Sequence, residues 1–437
     1  MQGKRTWLSR FAWAAAVASM ALLAGAQALA APVRVRVVSE FGIHTEAWKT
    51  QIQPFEEKTG IDVVLEQVPY ANYLDYLTLN FTSGRPAFDV AYVSMLWYPS
   101  FATAGYLEPL DGLLGDAMRQ DMPGIVNAVQ QGHLYFIPYM NELGGIVYRT
   151  DLFNDPKEKA AFRERYGYEL APPRTLAQYR DVAEFFHRPP KLYGVTLMGK
   201  RSIFLATHFL NRLWAYGGKL LDERMHPAFD GPEGVRALNE VKEMFRFANP
   251  AAYSYDFQEA LTEFTSGRSA MAELWTTGLF YANDPKSSKI AGKASFVGFP
   301  RPDGQAGKKL PMLYISWGFV VSARSPVKEQ AIQWVQHVTG TAPMIAAAPV
   351  GNIPARLSAL RSPVLQGKMP WLGAFEDALS HCVPTPMVPL IPEGPPIVNE
   401  AIAPAVSSFL SGERGADQAL RDAAAQVDRM MKDAGYY

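Results

Sequence analysis

A chain of 437 residues with 42 basic and 42 acidic side chains lacks the excess of Lys and Arg that nucleic-acid binding demands. Its single cysteine, Cys382, excludes an intramolecular disulfide, so stability must rest on packed cores. The seven histidines are scattered without ligand spacing, and no nucleophile elbow, His-Glu-x-x-His motif or phosphate-binding glycine loop occurs.

Residues 1–30 read as an export signal: Lys4, Arg5 and Arg10 precede an apolar run from Phe11 to Leu23, and Ala28-Leu29-Ala30 fits a signal-peptidase site. An uncleaved membrane anchor is the alternative, since Phe11 to Ala30 nearly has the length to span a bilayer. Cleavage leaves 39 basic against 42 acidic residues. No cysteine follows the site to carry a lipid. The remaining chain exceeds the size, about 250 to 300 residues, at which a single core stops growing, so two domains are expected.

Val33 to Val38 reads as a buried strand. Trp48, Ile52 and Phe55 lie at i, i+4 and i+7 and predict one helix ended by Gly60. Ile61 to Val68 is a second strand, Tyr73 to Thr82 a second helix before Gly84, and Asp89 to Ser94 a third strand. The β-α-β-α-β order implies a parallel sheet with a ligand crevice beyond the strands' C-terminal ends. Thr175-Leu176-Ala177-Gln178 has the form of a capping box. Pro232 stands at the first position of a helix whose apolar face is Val235, Leu238, Val241 and Phe245. Ser325-Pro326 opens another, with Ile332 and Val335 inward. The proline-rich stretch from Val383 to Pro396 is expected to be a loop or connector, neither helix nor central strand. Ala416 to Met431 closes the chain as a surface helix.

Several segments together resemble the extracellular solute-binding proteins of ATP-driven importers, whose members include maltose, trehalose and glycerol-phosphate binders. They are Phe55-Glu56-Glu57-Lys58-Thr59-Gly60-Ile61, Gly105-Tyr106-Leu107-Glu108-Pro109-Leu110, Val147 to Phe153, Trp214-Ala215-Tyr216-Gly217-Gly218, and Phe264 to Met271. The resemblance spans nearly the whole chain after the leader. It implies an α/β fold of two lobes, each a sheet flanked by helices and discontinuous in sequence: 31–144 with 319–367, and 145–318 with 368–437. Hinges are expected near Asn141 to Gly145 and Trp317 to Phe319, with a third crossing near Gln366 to Trp371. It further implies a periplasmic monomer that needs no cofactor and hands a sugar or polyol to the transmembrane subunits of an ABC permease. Many relatives carry an acidic residue where this chain reads Val93-Ser94-Met95-Leu96-Trp97, so no single member's sugar transfers directly.

A sugar or polyol needs aromatic platforms and planar polar groups, and the crevice rule limits where they can lie. Glu40, Phe41, His44 and Trp97 follow the first and third strands. For Glu40 an exposed loop carboxylate is the competing reading, and for His44 a solvated loop imidazole. Tyr139, Asn141 and Glu142 occupy the first hinge, where a purely structural role for Glu142 competes with ligand binding. Glu273 and Trp275 end a strand of the second lobe, and Trp317 and Gly318 lie in the second hinge. The tryptophans at 48, 214 and 334 read instead as core. The segment Gly351 to Arg356, which matches a family segment often near the cleft, adds Asn352 and Arg356. Lys200 and Arg201, if both bound, would favour an anionic or phosphorylated ligand, and otherwise form a solvated basic loop. The competing functions are a secreted glycoside hydrolase using Glu142 and Glu273 as its acid and base pair, and the same binding fold with a sugar phosphate, polyamine, peptide or metal as ligand.

Overall fold

In a computed structural model, residues 32–113, 115–305 and 308–437 are described, so the expected leader, 1–30, lies outside the described residues. The chain starts with β1 (Arg34–Glu40), whose Val35, Val37 and Val38 are buried. Where one helix was expected there are two, α1 (Ile43–Lys49) and α2 (Ile52–Thr59). Pro54 is the physical reason: it has no N–H to donate four residues back and is tolerated only in a first turn, so the helix restarts at Ile52. Gly60 adopts the expected left-handed cap, with φ of 71°. Next come β2 (Asp62–Val68), α3 (Tyr70–Thr82) and β3 (Val90–Ser94). β1 lies between β2 and β3, parallel to both, with Arg34 opposite Asp62 and Val37 opposite Val90.

A small hairpin, β4 (Val129–Gln130) and β5 (His133–Leu134), leads into the long β6 (Ile137–Arg149). The second lobe is built on α4 (Leu176–Phe186), β7 (Tyr193–Thr196), α5 (Ile203–Ala215), α6 (Pro232–Phe245), α7 (Phe257–Thr265) and β8 (Ser269–Trp275). Thr175 and Gln178 form the expected capping box of α4, and Pro232 opens α6. Leu238, Val241 and Phe245 are buried, with Val235 at the edge. After α8 (Thr276–Asn283) and β9 (Ala294–Gly298) comes a second long strand, β10 (Leu310–Val321). The chain then forms α9 (Lys328–Val338) and α10 (Thr341–Gly351), the short edge strand β11 (Cys382–Pro386), and the final helix α11 (Ala416–Asp433).

The strand order is β2-β1-β3-β10-β6-β8-β7, with β9 on β6 and β11 on β10. The two long strands each belong to both halves. β6 pairs β10 from Ile137 to Leu143, then turns to β8 and β9 from Gly144 onward. β10 pairs β11 from Leu310 to Tyr314 and β3 from Trp317 to Val321, with a register shift at Trp317/Gly318. The first half has an aromatic core of Trp48, Phe55, Tyr92, Phe319 and Trp334, with Trp334 5.2 Å from Phe55 and 6.1 Å from Trp48. Trp214 is likewise buried, as read from the helix faces.

The proline-rich stretch departs from expectation. Its first residues form β11, an edge strand on which the missing proline N–H is tolerated. Its last two prolines open a helical run, Gly394–Pro396, that continues to Leu410. The helix expected at Ser325 begins at Lys328, because the Ser325 hydroxyl turns to Asp89 at 2.8 Å.

Candidate functional site

Glu40 ends β1, where the strand delivers its side chain to the crevice. Gly42 makes room for it: a Cβ there would collide with the Glu40 carboxylate. The carboxylate is 5% exposed rather than a solvated loop group, and burial alone pushes it up to about 7. His44 is also no loop imidazole. It lies in the first turn of α1, and its Nδ1–H donates to the Gly351 carbonyl at 3.1 Å. That tautomer leaves Nε2 as an acceptor, 3.6 Å from Glu142 Oε1. Burial holds His44 down near 4, against the Gly351 hydrogen bond.

Glu142 lies in β6, 6% exposed. Burial pushes its carboxyl up to about 7, opposed by the hydroxyl and backbone N–H of Thr277 in the first turn of α8. It therefore stands between His44 of the first lobe and α8 of the second. The Glu40 carboxylate lies against Gly42, two residues before the His44 that faces Glu142, so both carboxylates flank the start of α1.

The aromatic wall is continuous. Trp97 meets Trp317 edge to face at 5.2 Å, Tyr70 lies 6.1 and 6.2 Å from them, and Tyr92 stacks on Trp317 at 5.7 Å. Tyr139 lies 6.1 Å from Tyr92. The hydroxyls of Tyr92 and Tyr139 have no hydrogen-bond partner among the described residues, nor have the two amide atoms of Asn352, which is 1% exposed. Asn352 is flanked by Gly351, whose carbonyl holds His44, and by Ile353, whose carbonyl holds the Asn141 N–H at 3.1 Å. Phe41 is an exposed lip beside Glu40.

Other expected residues have different work. Asn141 accepts from the Tyr314 hydroxyl at 2.6 Å and donates to the Ala355 carbonyl at 3.5 Å, holding the hinge. Gly318 is glycine because a Cβ would strike the Ile137 carbonyl. Arg356 is bound to the Thr339 carbonyl at 2.6 Å and to Asp121 at 2.9 Å. Glu273 is saturated: it accepts from Tyr179 at 2.9 Å, His208 at 2.6 Å, and Arg212 at 2.5 and 3.1 Å. Burial opposes its ionisation, but Arg212 and His208 outweigh burial and hold it well below the usual carboxylate range. Asn141, Arg356 and Glu273 therefore already have protein partners, and Gly318 is fixed by backbone packing. Trp275 is buried at the end of β8, opposite Gly144 of the hinge. Lys200 pairs with Asp256 at 3.1 Å, and Arg201 is exposed beside it, so the pair is a solvated loop.

Sequence reasoning missed Tyr70, Tyr92, Thr277 and Tyr281. Tyr70 follows β2 by the same rule that located Glu40, whereas nothing local marks Tyr281, one turn into α8.

A buried, polar and aromatic space between two α/β lobes that share two long strands defines a solute-binding protein. Residues 42–345 match the bacterial extracellular solute-binding protein family, and the chain belongs to it. It is 28% identical over 383 residues to the mannitol-binding protein of Pseudomonas aeruginosa, covering 82% of this chain and 84% of that one. The fold is similar to that of a solute-binding protein from Agrobacterium radiobacter solved with ribitol, at 23% identity and a TM-score of 0.77 over 91% of this chain and 98% of that one. It is similar as well to one from Agrobacterium vitis solved with D-mannitol, at 24% identity and a TM-score of 0.73 over 92% and 99%.

Proposed function

We propose that this protein binds a small polyol or sugar between its lobes and delivers it, unchanged, to the transmembrane subunits of an ABC permease. One observation carries the reading: among the described residues Asn352 and the hydroxyls of Tyr92 and Tyr139 are buried without partners, Tyr92 stacks on Trp317, and Glu40 is buried at the end of β1 with no ion-pair partner. Buried polar groups are normally satisfied. In this reading the ligand's hydroxyls are the partners of Glu40 and Asn352, while its C–H faces rest on the indoles. The polyols bound by the relatives support the same class.

The lobes in this reading are 31–144 with 319–367 and 145–318 with 368–437, joined at the points where β6 and β10 change partners. Export through a cleaved leader to the periplasm, without a lipid anchor, and a monomeric state complete it. The hydrolase alternative loses support, because Glu273 is locked by Arg212 and His208 and is not free to carry protons.

Isothermal titration with D-mannitol, ribitol and maltose, followed by recovery of the ligand, tests the function. Micromolar or tighter binding of one of them, recovered intact, is the expected outcome. Recovery of a cleaved product, or no binding across a wider panel of sugars and polyols, would overturn it.

A further inference from the structure

The chain treats its buried carboxylates in two opposite ways. Glu273 receives an arginine, a histidine and a tyrosine. Glu40 and Glu142 receive no such set: Glu40 has burial as its only influence, and Glu142 has a Thr277 contact and a neutral histidine. Three nearby cations are engaged elsewhere, Arg212 by Glu273, Lys200 by Asp256 and Arg356 by Asp121.

The hydrogen-bond types are equally one-sided. His44 Nε2 is an acceptor, because Nδ1–H is used by Gly351, and it faces the Glu142 carboxylate across 3.6 Å. Where Glu142 is ionised, two acceptors meet with no donor between them, and Glu40, at the end of the strand that leads into the same helix, adds a third. Asn352, next in sequence to the Gly351 that holds His44, is buried with its amide unpartnered among the described residues.

Resting on the reading that this space is the ligand site, we propose that the ligand carries a protonated amine as well as hydroxyls, as an amino-substituted polyol or amino sugar does. Its ammonium lies among Glu40, Glu142 and His44. An ammonium supplies three donors from one atom and a positive charge, which matches three acceptors that bring up to two negative charges. Hydroxyls satisfy the acceptors but leave those charges uncompensated in a buried site, where an unpaired charge is costly.

The test is titration of the purified full-length protein at pH 7.5 with matched pairs that differ only in one group. D-Glucitol is compared with 1-amino-1-deoxy-D-glucitol, ribitol with 1-amino-1-deoxyribitol, and D-glucose with D-glucosamine. In at least one pair the amine should bind about tenfold tighter or more, and Glu40→Gln should reduce that ratio toward one. The comparison on the unaltered protein stands whether or not the variant folds. Hydroxyl members binding as well as or better than every amine would overturn the ammonium and leave the polyol reading intact. Binding by no member of any pair would overturn the ammonium, while binding of D-mannitol or maltose by the same protein would keep the polyol or sugar reading.

Discussion

At the scale of single residues, the molecule is decided by which buried charges have partners. Breaking a buried ion pair by removing one member costs about 3–5 kcal/mol, because the other is left uncompensated. Arg212→Met should therefore destabilise by that amount in urea denaturation, and Glu40→Gln should not destabilise at all. Solution pH should show the same asymmetry in the ligand-free protein. Glu40 and Glu142 are raised to about 7 in the fold from an ordinary value of 4.5, so the folded state binds their protons more tightly. Their protonated forms contribute stability that is present below about pH 4.5 and lost as pH rises through 7, up to about 3 kcal/mol each. His44 works against them. Lowered to about 4 from 6.5, it makes stability rise with pH between those values. Between about pH 4.5 and 6.5 His44 offsets one of the two carboxyls, and above 6.5 it offsets neither, so the melting temperature should fall most steeply just below and around pH 7, and Glu40→Gln should flatten that fall. A melting temperature level from pH 6 to 8 would show that the two carboxyls are not desolvated as described.

At the scale of elements, the two long strands place the site, and close backbone approaches set their course. Gly318 sits at the register shift in β10 with the Ile137 carbonyl where its Cβ would be. Gly318→Ala should force the strands apart at a cost of about 1–3 kcal/mol, visible as a lowered melting temperature. Gly351 has φ of 153° and no space for a Cβ against Ile43. Gly351→Ala should displace α1 with His44 and weaken ligand binding more than it lowers stability. Much of this frame was legible in the sequence. Strand periodicity and the Gly60, Thr175 and Pro232 signals located the elements, and the rule that ligands lie beyond strand ends pointed to Glu40 and Trp97. The rule failed where a polar group's partner is remote. Glu273 has the same strand-end position as Glu40, and what separates them is Arg212, 61 residues away, across a fold that no local pattern encodes. Arg356 is claimed by Asp121 from 235 residues off, and Asn141 by Tyr314 from 173. Tyr281 was missed for the converse reason: its short helix, Thr-Thr-Gly-Leu-Phe-Tyr-Ala-Asn, has no separate apolar and polar faces, so periodicity gives the ring no direction.

At the scale of the whole molecule, the two lobes are tied mainly by β6 and β10, and few backbone dihedrals need change for one lobe to rotate on the other. Trp97 and Glu40 belong to one lobe and Thr277 and Tyr281 to the other, while Glu142 and Trp317 lie on the shared strands. A ligand seated among them has more contacts when the lobes are closed, and that difference in affinity is what shifts the population. Small-angle scattering should therefore show the radius of gyration, about 22 Å for a chain of this length after leader removal, falling on saturation with the bound polyol or amine. Tryptophan fluorescence should change along the same titration curve, since Trp97 and Trp317 lie at the site. Trp317→Ala removes a stacking face that is also packed on Tyr92 and Trp97, so it should lower stability as well as raise the dissociation constant about 10- to 100-fold. Compaction at saturation should survive in that variant, because closure is driven by the remaining contacts to both lobes. If the variant bound weakly and also failed to compact when saturated, the indole would be part of the hinge rather than of the ligand platform. If neither protein compacted, ligand would be held by one lobe alone and the closing motion would have no part in its capture.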